Sequence, residues 1–216
     1  VFNNLKKDQP KDHFTLGIND DIKHTSLEVT ESIDVADPTT TELLFFGLGS
    51  DGTVGACKNT SKIIGDNTDL YSQSYAAYDS KKSGGSTRLH LRFGKNPIRS
   101  TYLVNNPHFV SCSTDAHLAK FDMIAGLRQG GTFLLNTVCP VEEIESLLPN
   151  RYKRILAERN AKFYIINANK LAVEIGLKGK TNTIMQSAFF KLNQHILPYE
   201  KAKELMKAYA AKTFAK

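Results

Sequence analysis

Short apolar runs alternate with longer amphipathic stretches along most of the chain. The apolar runs predict strands, at 14–18, 42–46, 70–78, 87–93, 109–112, 132–135 and 163–166. The stretches between and after them predict helices, at about 53–64, 115–121, 141–147, 150–159, 168–175, 182–195 and 199–212. Strands that alternate with helices are typical of an α/β domain whose sheet is covered on both faces. The pattern therefore predicts a three-layer α/β domain.

One stretch differs, because apolar and polar residues alternate strictly from Thr87 to Phe93. A period of two indicates a half-buried strand with one side towards solvent. Such a strand is typical of a sheet edge or an antiparallel pair, so we expect a mixed, mostly parallel sheet flanked by helices. His90 lies among the polar positions and is expected to face solvent.

The length of 216 residues fits one domain over 1–216. Residues 1–13 are polar and contain Pro10, which indicates a linker-like segment. No apolar run approaches the roughly 18 residues that a membrane helix needs. The first residues lack the basic region followed by an apolar one that a signal peptide has, and the absence of an initial Met indicates a piece of a longer chain or a processed protein. We expect a cytoplasmic protein that does not associate with a membrane.

The formal net charge of +6 permits an anionic partner. The basic residues are not gathered in one tract and no nucleic-acid motif is present, so we expect no nucleic-acid partner. The three cysteines, Cys57, Cys112 and Cys139, are too far apart for the ligand spacing of an iron–sulfur cluster or a zinc site. We expect buried, reduced thiols and no metal site. No Ser/His/Asp or Cys/His arrangement can be read from the sequence, so we expect no catalytic residue in this chain.

The segment Gly47–Gly52 matches the pattern G-x-G-x-x-G between a predicted strand and a predicted helix. Glycines let the backbone approach a phosphate, and a helix N-terminus offers free N–H groups with a partial positive charge. The segment therefore predicts a phosphate or pyrophosphate site, and the alternative is a turn that needs glycine only for its dihedral angles. Asp51 would repel a phosphate unless it caps the helix, and we expect capping.

A second polar segment, Asp79–Ser86, carries the adjacent lysines Lys81 and Lys82 in a loop rich in glycine and serine. It is either an anion clamp or an exposed surface loop, since lysine is usually solvated. If the strands near residues 42 and 70 are neighbours, both loops lie at the sheet edge where α/β proteins bind ligands. Arg92, further along, is expected to pair with a carboxylate rather than with a phosphate.

Several longer motifs occur together and in order. They are Gly-Leu-Gly-Ser-Asp-Gly-Thr-Val-Gly-Ala from residue 47, Lys-Ile-Ile-Gly-Asp from 62, Tyr-Asp-Ser-Lys-Lys-Ser-Gly-Gly from 78 and His-Leu-Arg-Phe-Gly-Lys-Asn-Pro-Ile-Arg-Ser-Thr-Tyr-Leu-Val from 90. With further stretches that begin at 13, 129 and 183, this set resembles the pyruvate:ferredoxin (flavodoxin) oxidoreductase family over nearly the whole chain. It is similar to the gamma-type domain, the third domain of the large single-chain enzymes. The family tends to less basic residues where this chain has Arg88, so Arg88 carries no prediction.

The resemblance implies an enzyme that converts pyruvate and coenzyme A to acetyl-CoA and CO2 in anaerobic metabolism and reduces ferredoxin or flavodoxin. It implies that thiamine diphosphate, Mg²⁺ and iron–sulfur clusters are bound by other domains or subunits, which would be the partners of this chain, and that the electron carrier is met only indirectly. This domain would handle coenzyme A and would be inactive alone. The coenzyme A-binding residues that the resemblance implies are Gly49, Ser50, Asp51, Gly52, Lys81 and Lys82.

Two other interpretations remain open. A stand-alone dinucleotide-binding dehydrogenase would use the same glycine motif, with Asp69 as the ribose-binding acid about 20 residues further on. A purely structural domain would pack against other domains and bind no ligand. Titration with coenzyme A and with NAD distinguishes the three.

Overall fold

The computed structural model describes residues 1–20, 22–29, 34–79, 85–177 and 179–214. The chain forms two compact units, Val1–Val35 and Ala36–Lys216. Within the described ranges, no helix combines the length and the apolar character needed to cross a membrane.

The first unit has little regular structure. A single turn of helix, α1 (Phe2–Leu5), falls inside the segment predicted as a linker. The strand predicted at 14–18 is wrong. That segment is held by one backbone bond, from Leu27 N to Thr15 O at 3.0 Å, and by the hydroxyl of Ser26, which lies 2.6 Å from that of Thr15 and donates to the Ile18 carbonyl at 2.6 Å. A single backbone bond does not make a ladder, so no strand forms.

A six-stranded sheet forms the centre of the second unit. Its strands are β1 (Thr41–Leu48), β2 (Tyr71–Tyr78), β3 (Ser86–Gly94), β4 (Phe109–Cys112), β5 (Thr132–Asn136) and β6 (Lys162–Ile166). Their order across the sheet is β2-β3-β1-β4-β5-β6. β1, β4, β5 and β6 run parallel to one another, whereas β3 is antiparallel to both of its neighbours. The prediction of a mixed, mostly parallel sheet is confirmed.

Helices cover both faces of this sheet. They are α2 (Thr53–Asn67), α3 (Ile144–Leu147), α4 (Asn150–Glu158), α5 (Ala168–Glu174), α6 (Asn182–Leu192) and α7 (Tyr199–Phe214). Residues of α2, α5, α6 and α7 pack on one face, and residues of α3 and α4 pack on the other with the segment 118–127. The helix predicted at 115–121 is shorter than expected, with a 3-10 turn at Asp115–His117. The three-layer prediction is confirmed.

Alternate residues of β1 enter two separate apolar cores, because a strand covered on both faces carries apolar side chains on both. Phe45 enters the core under α2 and α6, where its ring meets those of Phe109 and Phe189 with centres 5.8 and 5.6 Å away. Tilted and edge-on rings at these distances attract one another beyond their burial alone. These cores fix the position of α2 and α6 over the sheet.

β3 is buried on both sides, although the alternation predicted a half-buried strand. The segment 95–106 covers its polar side, where Val104 contacts His90 and Tyr102 contacts Arg92. His90 is 6% exposed and Arg92 is 3% exposed, so the interpretation of His90 as solvent-facing is wrong. Alternation separates the two sides of a strand, but it does not reveal what covers the second side.

Arg92 pairs with a carboxylate, as expected. Its Nε donates to Glu42 Oε1 at 2.8 Å, and Arg128 Nη2 donates to Glu42 Oε2 at 3.3 Å. Glu42 is the second residue of β1, at the amino end of the parallel strands and opposite to the glycine loop. This buried ion pair is therefore a feature of the core and lies far from the predicted phosphate site.

Candidate functional site

The predicted phosphate loop, Gly47–Gly52, connects the carboxyl end of β1 directly to the first turn of α2. Ser50 and Gly52 have left-handed backbones with φ of 74° and 85°. The N–H of Asp51 closes the turn by donating to the Leu48 carbonyl at 3.1 Å. The N-terminus of α2 is thereby placed at the carboxyl edge of the sheet, where open α/β folds bind their ligands.

Two glycines of this loop stand where a larger residue does not fit. A Cβ at Gly47 would lie 2.6 Å from the side chain of Thr53. A Cβ at Gly52 would lie 2.8 Å from the side chain of Asn182, the first residue of α6. The start of α6 therefore packs against the start of α2, and the N-termini of two helices meet at this edge.

The carboxylate of Asp51 is engaged by three donors. Oδ1 accepts from the N–H of Thr53 at 2.8 Å, and Oδ2 accepts from the N–H of Leu48 at 2.8 Å and from the hydroxyl of Ser113 at 2.7 Å. The first N–H groups of a helix have no partner inside the helix. Asp51 satisfies one of them, as expected, although the N-cap residue itself is Gly52. These bonds compensate the negative charge and so reduce the repulsion of a phosphate.

The next two N–H groups of α2 remain available for a ligand. The first backbone bond of the helix runs from Ala56 N to Gly52 O at 3.0 Å. Among the residues that the structure describes, none accepts from the N–H of Val54 or of Gly55. Gly55 is exposed, and a Cβ there would meet nothing within 4 Å. The N-terminus of this 15-residue helix carries a partial positive charge, which favours an anion.

Polar residues that follow the neighbouring strands form a hydrogen-bonded row along the same edge. Ser113 N donates to the Phe46 carbonyl at 2.9 Å, and Asn136 Nδ2 donates to the Ser113 carbonyl at 2.9 Å. Asn136 Oδ1 accepts from Ala168 N, at the start of α5, at 2.9 Å. Sequence analysis missed these residues. The signal that identifies them is a polar residue directly after each apolar strand.

A cavity of about 20 Å³ lies behind the loop, between α2, α6 and the ends of β1 and β4. It has room for about one water molecule. Its polar lining comes from Thr53, Thr60, Ser111, Ser113, Asn182 and Gln186. A ligand of nucleotide size does not fit inside, so it would have to lie on the outer surface of the loop.

The second predicted segment reaches the same edge. Lys81 and Lys82 lie outside the described residues. The flanking Gly85 accepts a hydrogen bond from the N–H of Gly49 at 2.8 Å, so the two loops are joined where they meet the sheet. β1 and β2 are not neighbours, because β3 lies between them. Both are antiparallel to β3 and therefore end at the same edge.

Arg88 adds a cation to this edge that the sequence did not predict. It is the cross-strand partner of Phe46, the residue before the glycine loop. Its guanidinium lies over the rings of Phe46 and Phe121, at 5.7 and 5.1 Å from their centres, and the residue is exposed. Within the described part of the chain, no carboxylate lies in ion-pair contact with it. The two rings hold the guanidinium in place and leave its donors to solvent.

The thiols near the edge are poor nucleophiles. Cys57 and Cys112 are buried, whereas Cys139 is partly exposed, which corrects the expectation of three buried thiols. Burial raises the pKa of Cys112 to about 12, although its sulfur lies 3.8 Å from Nδ1 of His117. Burial also lowers the pKa of His117, so thiol and imidazole are both neutral near pH 7. In the described ranges, no three side chains of His, Cys, Asp or Glu cluster in a way that could hold a metal ion.

Sequence comparison identifies relatives of the chain. A family profile described as "Pyruvate ferredoxin/flavodoxin oxidoreductase" matches residues 42–216. The pyruvate:ferredoxin oxidoreductase of Moorella thermoacetica is 49% identical over 216 residues, which are 100% of this chain and 18% of that protein. The chain thus spans about 18% of the length of this curated relative.

Solved structures share the fold. A pyruvate oxidoreductase subunit from Thermotoga maritima matches 82% of this chain and 86% of its own, with a TM-score of 0.64 at 22% identity. A 2-oxoglutarate:ferredoxin oxidoreductase from Magnetococcus marinus, with 2-oxoglutarate, coenzyme A and succinyl-CoA bound, matches 80% of this chain and 32% of its own, with a TM-score of 0.50 at 14% identity. At such identities these matches show the fold alone. The family profile covers most of the chain at the level of sequence. The chain therefore belongs to the pyruvate ferredoxin/flavodoxin oxidoreductase family.

Proposed function

We propose that residues 1–216 are the gamma-type domain of a thiamine diphosphate-dependent pyruvate:ferredoxin (flavodoxin) oxidoreductase, and that this domain binds the nucleotide end of coenzyme A. The observation that carries the proposal is the N-terminus of α2 at the carboxyl edge, behind a glycine loop and with the N–H groups of Val54 and Gly55 unsatisfied by described residues. Two adjacent free N–H groups at a helix N-terminus are suited to a pyrophosphate oxygen.

The chemistry of coenzyme A suits this edge because the ligand carries a pyrophosphate and a 3′-phosphate. In our proposal the backbone of Gly49 and Gly52 and the hydroxyl of Ser50 lie beside the pyrophosphate, while Asp51 holds the shape of the loop. Lys81, Lys82 and Arg88 would provide cations for the 3′-phosphate. The net charge of +6 favours such an anionic ligand. The protein of known structure with coenzyme A bound has this fold, which is consistent with the proposal.

The residues that the structure describes do not fit the metal ion or the iron–sulfur clusters of such an enzyme. Cys57 and Cys112 are buried thiols, and the described residues offer no ligand set for a metal ion or cluster. We therefore assign thiamine diphosphate, Mg²⁺ and the iron–sulfur clusters to other domains or subunits. In this proposal ferredoxin or flavodoxin receives electrons from those parts, the chain alone catalyses nothing, and the enzyme works in the cytoplasm.

The dehydrogenase alternative requires a ribose-binding acid beside the glycine loop. Asp69, the candidate at the expected spacing, precedes β2 and so lies at the amino end of that strand. The glycine loop lies at the carboxyl end of β1, and β2 is separated from β1 by β3. This position argues against a dinucleotide bound in the usual way. The alternative of a structural domain without a ligand is decided by the binding experiment.

The experiment is a calorimetric titration of the whole oxidoreductase that contains residues 1–216. The ligands are coenzyme A, dephospho-coenzyme A and NAD. We expect binding of coenzyme A, weaker binding of the analogue that lacks the 3′-phosphate, and none of NAD. Binding of NAD without coenzyme A would favour the dehydrogenase. Binding of neither nucleotide would favour the structural domain.

Variants locate the site. The double change Lys81→Ala with Lys82→Ala should weaken coenzyme A binding about tenfold or more, and Arg88→Gln should weaken it several-fold, because each removes a charge-assisted bond to phosphate. Arg154→Gln is the matched control, since Arg154 is equally exposed but lies on α4. Unchanged affinity in both test variants would exclude these cations from the site.

A further inference from the structure

A groove of about 520 Å³ lies between α5, α6 and α7, on the face of the second unit that these helices cover. We call it the helical groove. Its floor and walls include the aliphatic side chains of Leu171, Ile175 and Leu177, which are 40%, 61% and 51% exposed. Isolated exposed leucines are common on protein surfaces, but a contiguous concave patch of them marks a binding surface.

The rim of the helical groove has one sign of charge. Lys180, Lys191, Lys203 and Lys207 line it, and the lining residues that the structure describes include no Asp or Glu. Two of these lysines pair with glutamates of their own helix, at 3.5 and 3.0 Å, outside the groove. Exposed pairs of this kind contribute little, so the ammonium groups remain free to meet another carboxylate.

We propose that the helical groove docks an amphipathic helix with acidic flanks, which belongs to another part of the same oxidoreductase. Three observations support this partner. A concave channel between helices fits the convex apolar face of a helix rather than a flat surface such as a membrane. Four rim lysines without a lining acid match acidic flanks and repel basic ones. The related enzyme is far longer than this chain, whose match covers 18% of it, so such an enzyme has further chain that could supply the helix.

This contact is separate from the coenzyme A site. The helical groove is lined by α5 and its C-terminal residues, by α6 and by α7, whereas the proposed nucleotide contacts lie on the loop before α2. Its role is therefore to hold the domain in the assembly. The groove proposal rests on the part of the proposed function that makes residues 1–216 one domain of a larger oxidoreductase, but it does not depend on the binding of coenzyme A.

The test uses the purified whole oxidoreductase that contains residues 1–216, without lipid or nucleotide. A water-soluble carbodiimide joins lysines to carboxylates in direct contact, and mass spectrometry locates the joined residues. We expect Lys180, Lys191, Lys203 and Lys207 to be joined to Asp or Glu residues outside 1–216. In parallel, acetylation of the native protein should modify these four lysines at least several-fold less than Lys58, which is exposed on α2.

A pair of variants makes the test specific. Ile175→Glu places a carboxylate in the helical groove, opposite the acidic flanks, and should lower the yield of cross-links about tenfold or more. Val173→Glu is the matched control, because Val173 is 58% exposed on the same helix but does not line the groove. Both positions are exposed, so neither change disturbs the core.

Each outcome of these measurements either supports or overturns the proposed docking of an acidic helix. Cross-links that Ile175→Glu abolishes and Val173→Glu retains support the acidic helix. Groove lysines that are acetylated as readily as Lys58 show that nothing covers the groove and overturn the proposal. Protection without cross-links overturns it as well, because the cover would then be uncharged or a small molecule.

Discussion

Asp51 lies at the tip of the glycine loop, where an uncompensated carboxylate would repel a phosphate. Its two oxygens accept hydrogen bonds from Leu48, Thr53 and Ser113. These donors belong to the end of β1, the start of α2 and the residue after β4, so one carboxylate joins three elements. The loop therefore keeps its shape without a ligand, and a pre-formed loop lowers the entropy lost on binding. In our proposal, Asp51 therefore acts through the shape of the loop rather than through contact with the ligand.

The burial of His90 makes the stability of the folded chain depend on pH. Its Nδ1 accepts a hydrogen bond from the N–H of Val104 at 3.2 Å, so the neutral ring carries its proton on Nε2. Burial, followed by the nearby charges of Arg92 and Arg88, lowers the pKa of His90 to about 4. In the unfolded chain the pKa is about 6.5. Between these values the unfolded chain binds more protons than the folded one, so stability is lost as the pH falls from about 6.5 towards 4.

We expect His90→Asn to reduce this loss of stability. The Asn carbonyl can still accept from Val104 N, but it does not titrate. Urea unfolding at about pH 7 and at about pH 5 should show a smaller fall in the free energy of unfolding for the variant than for the unchanged protein. Burial also lowers the pKa values of His108 and His117, so a residual fall should remain in the variant. If the variant and the unchanged protein show the same pH dependence, His90 has the same protonation in the folded and the unfolded chain, which would contradict this prediction.

At the scale of secondary structure, the sequence pattern predicted all six strands of the described sheet. The buried strands, such as β1 and β4, are short apolar runs, whereas β2 is a largely exposed run with three tyrosines. It failed where an element depends on its surroundings. The polar side of β3 is covered by the segment 95–106, which follows β3 directly and folds back over it, and the alternation within β3 does not encode that return. The order of β2, β3 and β1 was missed for the same reason, because pairing is decided by packing of whole strands rather than by their local sequence.

The candidate site could be predicted only in its local part. The spacing of Gly47–Gly52 between a strand and a helix is visible in the sequence, since both neighbours are adjacent in the chain. Ser113, Asn136 and Asn182 reach the loop through the order of strands and the crossing of α6, which no local pattern encodes. The position of the Arg88 guanidinium over the rings of Phe46 and Phe121 could not be predicted either, because both rings are distant from Arg88 in the sequence.

The contact between α2 and α6 at Gly52 leads to a prediction about these two elements. Gly52 has a φ of 85°, and a Cβ there would lie 2.8 Å from the Asn182 side chain. Gly130 has a φ of 68° with nothing within 4 Å, so it is a matched control for the backbone alone. We expect Gly130→Ala to lower the free energy of unfolding by about 1–2 kcal/mol. Gly52→Ala should lower it by about 1–3 kcal/mol more, because the added methyl group also meets Asn182.

A double-mutant cycle checks this assignment by urea unfolding. In a background with Asn182→Ala, the extra loss caused by Gly52→Ala should largely vanish, while the loss caused by Gly130→Ala stays the same. Equal losses at both glycines in the original background would show that the two helix starts do not constrain each other.

At the scale of the whole molecule, the second unit presents surfaces suited to partners. One is the carboxyl edge, and another is the helical groove. A third is the outer edge of β2, which no described strand covers, and where Tyr71, Tyr75 and Tyr78 are 49%, 58% and 64% exposed. An unpaired strand edge without charged residues is a template for pairing with another chain. These surfaces agree with a domain that works inside a larger assembly.

The isolated chain of 216 residues should therefore fold but do little. Its second unit contains two apolar cores, which favours independent folding. We expect it to be colourless and to oxidise no pyruvate, even with thiamine diphosphate, Mg²⁺ and an electron acceptor added. Coenzyme A should bind no more tightly than millimolar, because in our proposal this chain contacts only the nucleotide end of a long flexible ligand that loses entropy on binding. An absorbance spectrum, a coupled activity assay and calorimetric titration measure the three properties. Visible absorbance or turnover would contradict the assignment of the redox centres to other domains, and sub-micromolar binding would mean that this domain holds the whole ligand.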